Sequence, residues 1–269
     1  YNENTHKGLL RHLVIRRTDA GYTVTIVING NTLPHYEKLI DSLNKLNINY
    51  SLSVNINTEK TNVILGRKTF AVHGNIVMPC NICGVRAQIS PQSFMQINDG
   101  ICSAIYSRIA DIAKQLKPSL AIDAYGGIGI ISNLIAKYCG CVKCIEIVPS
   151  AIADGKMLAK QNGNENKIDN VLGDCANVLP EIITQHCKAY GPQNTLIILD
   201  PPRKGCEQPV LDAVTASGSD NVIYISCNPA TLARDLQTLR TAYNIASVTP
   251  YDMFAQTSHV ETLVVLSKK

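Results

Sequence analysis

The chain has 269 residues, of which 45% are hydrophobic and 17% charged, so it is globular and long enough to bury a core as one large domain or two smaller ones. No apolar run reaches the roughly 18 residues that a membrane helix needs, and the opening YNENTHKGLL lacks the charged-then-apolar layout of a leader. A soluble cytoplasmic protein with no membrane partner is therefore expected.

The formal charge of +4 is too modest to identify a nucleic-acid binder by composition. Its distribution says more: residues 1–75 hold nine Lys/Arg against five Asp/Glu and four of the six histidines, whereas the remainder holds sixteen of each sign. Ten cysteines are scattered through apolar runs, which predicts reduced, mostly buried thiols rather than a disulfide framework. Cys139, Cys141 and Cys144 lie in an alternating apolar stretch and Cys80/Cys83 is a single pair, so no metal is expected.

In chain order, the alternating segments at 9–17 and 22–29 flank Thr18-Asp-Ala-Gly21 and predict a hairpin. A helix follows over 33–47, with Leu39, Ile40, Leu43 and Leu46 at helical spacing and Pro34 in its first turn. INYSLSVNIN (48–57) returns to strand alternation. Residues 69–98 carry short strands ending in ISPQSFMQIN, and 99–116 are helical up to a break at Pro118. From Ser119 short apolar runs alternate with helices, which predicts a doubly wound, mostly parallel sheet. HVETLVVLSKK (259–269) pairs with YNIASVTPYDMF (243–254) as an antiparallel unit at one sheet edge. The expected architecture is α/β: a small α+β module over 1–90, then a Rossmann-like domain over 91–269.

Asp123-Ala-Tyr-Gly-Gly-Ile-Gly129 sits where a strand meets a helix, so its glycines permit close backbone approach to a ligand with the helix N-terminus facing it. A plain tight turn shares this pattern. Glu146, ending the next strand, suits the two hydroxyls of a ribose, and Asp174, ending the one after, suits an exocyclic amine. The pyrophosphate form G-x-G-x-x-G is absent, which favours S-adenosylmethionine over NAD.

Asp200-Pro-Pro-Arg-Lys-Gly205 leaves an apolar strand through two prolines that hold an extended exit rigidly, as a substrate loop requires. The next strand ends in Tyr224-Ile-Ser-Cys-Asn-Pro229, which places Cys227 at the same carboxyl edge, ahead of a helix beginning near Thr231 that lowers a thiol's pKa.

The segments SPQSFMQIN, DAYGGIG, IEIVPSAI, DPPRKG, YISCNPATLARDL and DMFAQTSHVETLVVL resemble, in order, the motifs of the RNA uridine C5-methyltransferases, which make 5-methyluridine in transfer and ribosomal RNA. The likeness spans roughly 90–269, and the opening YNENTHKGLLRHLVIRR resembles the central domain of that family. The resemblance implies that the Cys227 thiolate adds to carbon 6 of uracil, that carbon 5 then accepts a methyl group from S-adenosylmethionine, and that Glu261 removes the carbon 5 proton. It also implies that Gln96, Tyr125, Glu146, Asp174 and Asp200 contact the cofactor, with Asp200 close to the uracil as well. Phe94 and Arg203 fall on the substrate side, Phe94 as a stacking ring or a core residue. The implied partner is RNA, 23S ribosomal RNA or else transfer RNA, with the target uridine in a loop or flipped out, and the basic N-terminal module gripping phosphate.

The sequence departs from the pattern at Ala255, where proline usually follows phenylalanine, and at Ile130, where some members carry a polar residue. Family members commonly begin with an RNA-binding β-barrel and, in some subfamilies, four cysteines for an iron–sulfur cluster. The cysteines here do not match those positions, so no cluster is expected in this chain. Two rival readings remain: a methyltransferase acting on a small molecule or protein, and an RNA-binding module without activity.

Overall fold

The computed structural model describes residues 1–93, 96, 98–190 and 194–269, apart from the side chains of 187–190. They fall into two compact units, one of residues 1–81 and 86–95, the other of 82–85 and 96–269.

The first unit carries a four-stranded sheet in the order β1-β2-β3-β4, formed by β1 (Leu10–Thr18), β2 (Gly21–Ile28), β3 (Tyr50–Ile56) and β4 (Lys68–His73). β1 and β2 form the hairpin around Asp19 and Ala20, and β3 pairs parallel to β2, which the crossover helix α1 (Tyr36–Asn44) makes possible. On one face Val24, Ile26, Ile28, Leu52 and Val54 pack with Leu39, Ile40 and Leu43 of α1. Buried polar side chains occupy alternate positions, where Thr25 and Ser53 hydrogen bond at 2.9 Å.

Helix α1 is shorter than its periodicity predicts. His35 takes a left-handed conformation (φ 59°) and begins the helix after Pro34, which therefore stands outside the first turn, and Leu46 lies past the end, 60% exposed. A two-stranded sheet of β5 (Met78–Ile82) and β6 (Val85–Ile89) follows, joined by Cys83 and Gly84, both at positive φ as a tight two-residue turn demands.

The second unit opens with α2 (Asp99–Leu116), capped by the Asn98 side chain, which accepts from Ile101 N at 3.2 Å. A seven-stranded sheet then forms from β7 (Leu120–Ala124), β8 (Cys141–Glu146), β9 (Ile168–Leu172), β10 (Thr195–Leu199), β11 (Asn221–Ser226), β12 (Tyr243–Tyr251) and β13 (Glu261–Lys268). The spatial order is β12-β13-β11-β10-β7-β8-β9, so the chain winds outward from β7 in both directions. The five strands β7–β11 are mutually parallel, β13 is antiparallel to β11, and β12 is antiparallel to β13. The architecture is thus the doubly wound, mostly parallel α/β fold expected from the alternating runs.

The intervening helices are α3 (Ile130–Ile135), α4 (Pro149–Gln161), α5 (Cys175–Tyr190), α6 (Gln208–Ala216) and α7 (Pro229–Leu239). Period-two alternation divides the sheet between two cores. Ala121, Leu196, Ile198 and Ile223 face one core with residues of α2, α3 and α4, while Leu120, Ile122, Ile197, Leu199 and Tyr224 face the other with α5, α6 and α7. The nine cysteines whose side chains are described are free thiols, five of them buried. Among the described residues no helix is long and apolar enough to cross a membrane, and no three His, Cys, Asp or Glu residues are grouped to hold a metal ion.

Ile198 is fully buried in β10, a central strand of the sheet, so Ile198→Ala removes contacts that the sheet cannot close. Urea unfolding is expected to show a loss of about 2–5 kcal/mol. A loss below about 1 kcal/mol would contradict the two-sided packing.

Candidate active site

Parallel strands deliver their C-terminal residues to one edge of the sheet, and polar side chains gather there. The glycine turn after β7 is tight because it must be. Gly126 N donates to Ile145 O (2.9 Å), and a Cβ on Gly126 would lie 2.5 Å from Cys144 Sγ. Gly127 (φ 57°) has open space on its Cβ side, and Gly129 (φ 79°) turns the chain into α3.

Glu146, the last residue of β8, braces this turn: Oε2 accepts from Gly127 N (3.1 Å) and Oε1 from Val148 N (2.8 Å). Each oxygen keeps a further lone pair, so the carboxylate can still accept a hydroxyl. Asp174 lies two residues beyond β9 and caps α5, its Oδ1 accepting from Ala176 N at 2.9 Å. Tyr125 takes a left-handed backbone (φ 65°) and is half-buried against the second core, its hydroxyl facing Cys206.

Asp123 is a participant that the sequence reading quoted but gave no role. It is fully buried, and its Oδ2 accepts from Ser132 N (3.0 Å) and Ser132 Oγ (2.6 Å), while Oδ1 has no partner. Burial pushes its carboxyl up to about 6 against the pull of those two bonds, with Glu146 adding to the rise.

A narrow cavity opens between β10, β11 and β13. Its lining comprises Gln96, Cys102, Ile105, Tyr106, Asp200, Ile225, Met253 and Glu261. Asp200 leads the Pro-Pro exit of β10, and Glu261 is the first residue of β13. Because β13 runs antiparallel to β11, its start lies where the parallel strands end: Ser226 pairs with Thr262, which sets Cys227 beside Glu261. Burial raises the Asp200 carboxyl to about 7, with Glu261 and then Asp123 contributing, and burial raises Glu261 to about 7.

Cys227 is half-exposed and does not line this cavity. Burial raises its pKa first, followed by Glu261; Arg203 and the residue's own backbone lower it, and Asp200 raises it. This reverses the expected lowering by the following helix. The reason is the burial of the thiol together with the nearby Glu261, which outweigh Arg203 and the backbone bond; the following helix, α7, starts at Pro229 rather than near Thr231.

Gln96, Asp200 and Glu261 are thus brought together, with Cys227 and the exposed Arg203 next to them. Tyr125, Glu146 and Asp174 share the same sheet edge at other strands. Phe94 lies outside the described residues. The sequence reading missed the cavity walls Cys102, Tyr106 and Met253, and it missed Arg234 and Asp235 on α7. Asp235 had a legible signal, because it falls on the apolar stripe Leu232–Asp235–Leu239 of that helix.

An open α/β sheet with an antiparallel β13 beside β11, a glycine turn braced by an acid after β7, and acids following β9 and β10 make up a Rossmann-like domain. The family model of the tRNA (Uracil-5-)-methyltransferases matches residues 31–269, and the chain belongs to that family. An uncharacterized RNA methyltransferase of Halalkalibacterium halodurans is 37% identical over 273 residues, covering all of this chain and 58% of that protein. One of Clostridium tetani is 35% identical over 271 residues, covering 99% and 58%. The chain therefore spans a little over half the length of these curated relatives.

Among solved structures, the Pyrococcus abyssi tRNA (uracil-54, C5)-methyltransferase in complex with S-adenosyl-L-homocysteine superposes with a TM-score of 0.79 at 23% identity. The match covers 98% of this chain and 61% of that one. The tRNA m1G37 methyltransferase of M. jannaschii gives 0.60 at 15% identity over 100% and 78%. Both likenesses concern the fold.

The raised carboxyl of Glu261 carries a linkage consequence. A carboxyl whose pKa is higher folded than unfolded costs stability when ionised, so this cost is absent at acid pH and grows as pH rises from the unfolded value to about 7. Glu261→Gln is expected to raise the melting temperature at pH 8 by more than at pH 5. An equal effect at both would show that Glu261 ionises normally.

Proposed function

We propose that the chain is the catalytic part of an S-adenosylmethionine-dependent methyltransferase that acts on carbon 5 of a uridine in RNA, with Cys227 as nucleophile and Glu261 as base. The observation that carries the reading is the register of β11 against β13, which sets a thiol and a buried carboxyl side by side at the ligand edge of the sheet.

The residues present fit the cofactor. The glycine turn leaves backbone open at Gly127, Glu146 retains acceptor capacity for ribose hydroxyls, Asp174 retains Oδ2 for an exocyclic amine, and the orphaned Asp123 oxygen has the character to meet a cation. When bound, S-adenosylmethionine supplies an electrophilic methyl group on a positively charged sulfur. Gln96 and Tyr125 complete the proposed cofactor side.

Uracil carbon 5 is too weak a nucleophile to displace that sulfur unaided. The Cys227 thiolate adds to carbon 6, and the electron pair moves through carbon 5 to the carbonyl oxygen as an enolate. Carbon 5, now nucleophilic, would accept the methyl group that S-adenosylmethionine, held by Gln96, Tyr125, Glu146 and Asp174, would supply, its sulfur leaving as the neutral thioether. Glu261, ionised, takes the remaining proton from carbon 5, and the returning electron pair expels the thiolate. A carboxyl raised to about 7 is matched to this step, since it is basic enough to accept a carbon-bound proton yet ionised in a useful fraction near neutrality.

Asp200, with its raised carboxyl, faces the same cavity and orients the ring. Arg203 sits beside the thiol, where its charge stabilises both thiolate and backbone phosphate. Since the target edge of uracil is stacked within a duplex, the nucleotide must be unpaired or turned outward. The excess positive charge of residues 1–75 supplies a sequence-independent hold on phosphate.

The finer assignment is 23S ribosomal RNA, with transfer RNA as the second reading, which the family description favours. Incubating the chain with labelled cofactor and separated ribosomal and transfer RNA pools, then mapping the labelled uridine, decides between them. Label in neither pool would overturn the reading.

Cys227→Ala is expected to abolish methyl transfer, and covalent trapping on 5-fluorouridine RNA, while leaving cofactor affinity within about twofold, a loss of at least 10³-fold in kcat by analogy with other nucleophile removals. Glu261→Gln is expected to let the methylated RNA–protein adduct accumulate on denaturing gels. Full turnover by either variant removes its residue from the mechanism.

A further inference from the structure

The 200–206 loop hangs from α7. Arg203 O accepts from Asn228 Nδ2 (3.3 Å) and Thr231 Oγ1 (3.2 Å), while Arg234 Nη2 donates to Lys204 O (3.0 Å) and Cys206 O (3.3 Å). Beneath this contact lies Asp235, fully buried. Its Oδ2 accepts from Cys206 N (2.8 Å) and Tyr224 OH (2.5 Å), and its Oδ1 takes Arg234 Nε (2.8 Å) and Nη2 (2.6 Å).

No slack remains in the joint. Gly205 has φ 78°, and a Cβ there would stand 2.6 Å from both Arg234 Nη2 and Asp235 Oδ2. The cap of the same helix, Asn228, directly follows Cys227, so loop and thiol are referred to one rigid element.

A buried carboxylate paired with a half-exposed guanidinium contributes little net stability, because desolvation offsets the Coulomb gain. What the pair does provide is direction. Both oxygens of Asp235 are saturated by donors whose positions fix the backbone of 204–206 and the ring of Tyr224 at once.

We propose that Asp235 is a positioning residue that, through Arg234, Tyr224 and the backbone of residues 203–206, locks the 200–206 loop onto the helix that begins beside Cys227 and so sets where Arg203 stands relative to the thiol. The inference rests on Cys227 being the nucleophile. The charged groups facing that thiol are Glu261, Arg203 and Asp200, and Arg203 is the cation among them. Freeing the loop withdraws that cation, so the thiol ionises at higher pH, and it also misplaces Asp200 and Arg203 against the substrate.

The test measures site-resolved alkylation of Cys227 by iodoacetamide as a function of pH, read by peptide mass spectrometry on the full chain, for wild type, Asp235→Asn, Arg234→Lys and Thr231→Val. Asp235→Asn is expected to move the midpoint upward and, with RNA, to lower kcat on the order of 10- to 100-fold, with cofactor Kd within about twofold. Arg234→Lys, which keeps the charge without the fork, should fall between it and wild type.

A folded Asp235→Asn with wild-type midpoint and kcat overturns the proposal. Should Asp235→Asn fail to fold, unchanged profiles for both Arg234→Lys and Thr231→Val overturn it instead. The alkylation profile needs neither RNA nor cofactor, so failure of the wild-type chain to methylate RNA would remove the functional reading and leave this result standing.

Discussion

The antiparallel seating of β13 against β11 is the constraint on which the site depends. Five parallel strands present only their C-terminal ends at the ligand edge, and a residue at the start of a strand reaches that edge only if the strand runs the other way. Glu261 meets this condition, and the pairing of Ser226 with Thr262 places it level with the thiol rather than a strand's length away. β12 covers the outer side of β13, so Glu261 is buried as well as placed. Register, burial and the upward shift of its carboxyl therefore share one cause.

Burial acts in the same sense on the carboxyls and the thiol at this edge. Asp123, Asp200 and Glu261 are all raised, chiefly by burial, with Glu146 adding to the rise of Asp123 and with Glu261 and then Asp123 adding to that of Asp200. The thiol is raised too, with Arg203 as the opposing cation. The Asp200 and Glu261 carboxyls are thus brought near neutrality, where each is divided between its charged and uncharged forms.

The proposed cofactor side is built on a different principle. Its acids are already committed to backbone: Glu146 to Gly127 and Val148, Asp174 to the first turn of α5. These bonds hold the turns in shape and fix which lone pairs remain for a nucleoside. Rigidity there comes from side-chain carboxylates bound to backbone N–H groups, whereas around Cys227 it comes from the side chains of α7 bound to the 203–206 backbone and from the two prolines after Asp200.

Much of this was legible in the sequence. Period-two apolar runs separated by helical stretches determine a doubly wound sheet because only a strand buried on both faces reads that way, and the glycine turn, Asp200-Pro-Pro and Cys227 announce themselves by falling at strand ends. Local conformation was harder to read: the left-handed His35 shortens α1. The ionisation of Cys227 does not follow from its proximity to a helix start, because the burial and the Glu261 carboxyl that raise it are set in space. The company kept by Glu261, the double grip of Asp235 on loop and helix, and the raised carboxyls were decided by tertiary structure alone. They arise between residues tens of positions apart, and the energy of a charge depends on what surrounds it in space, which no one-dimensional pattern records.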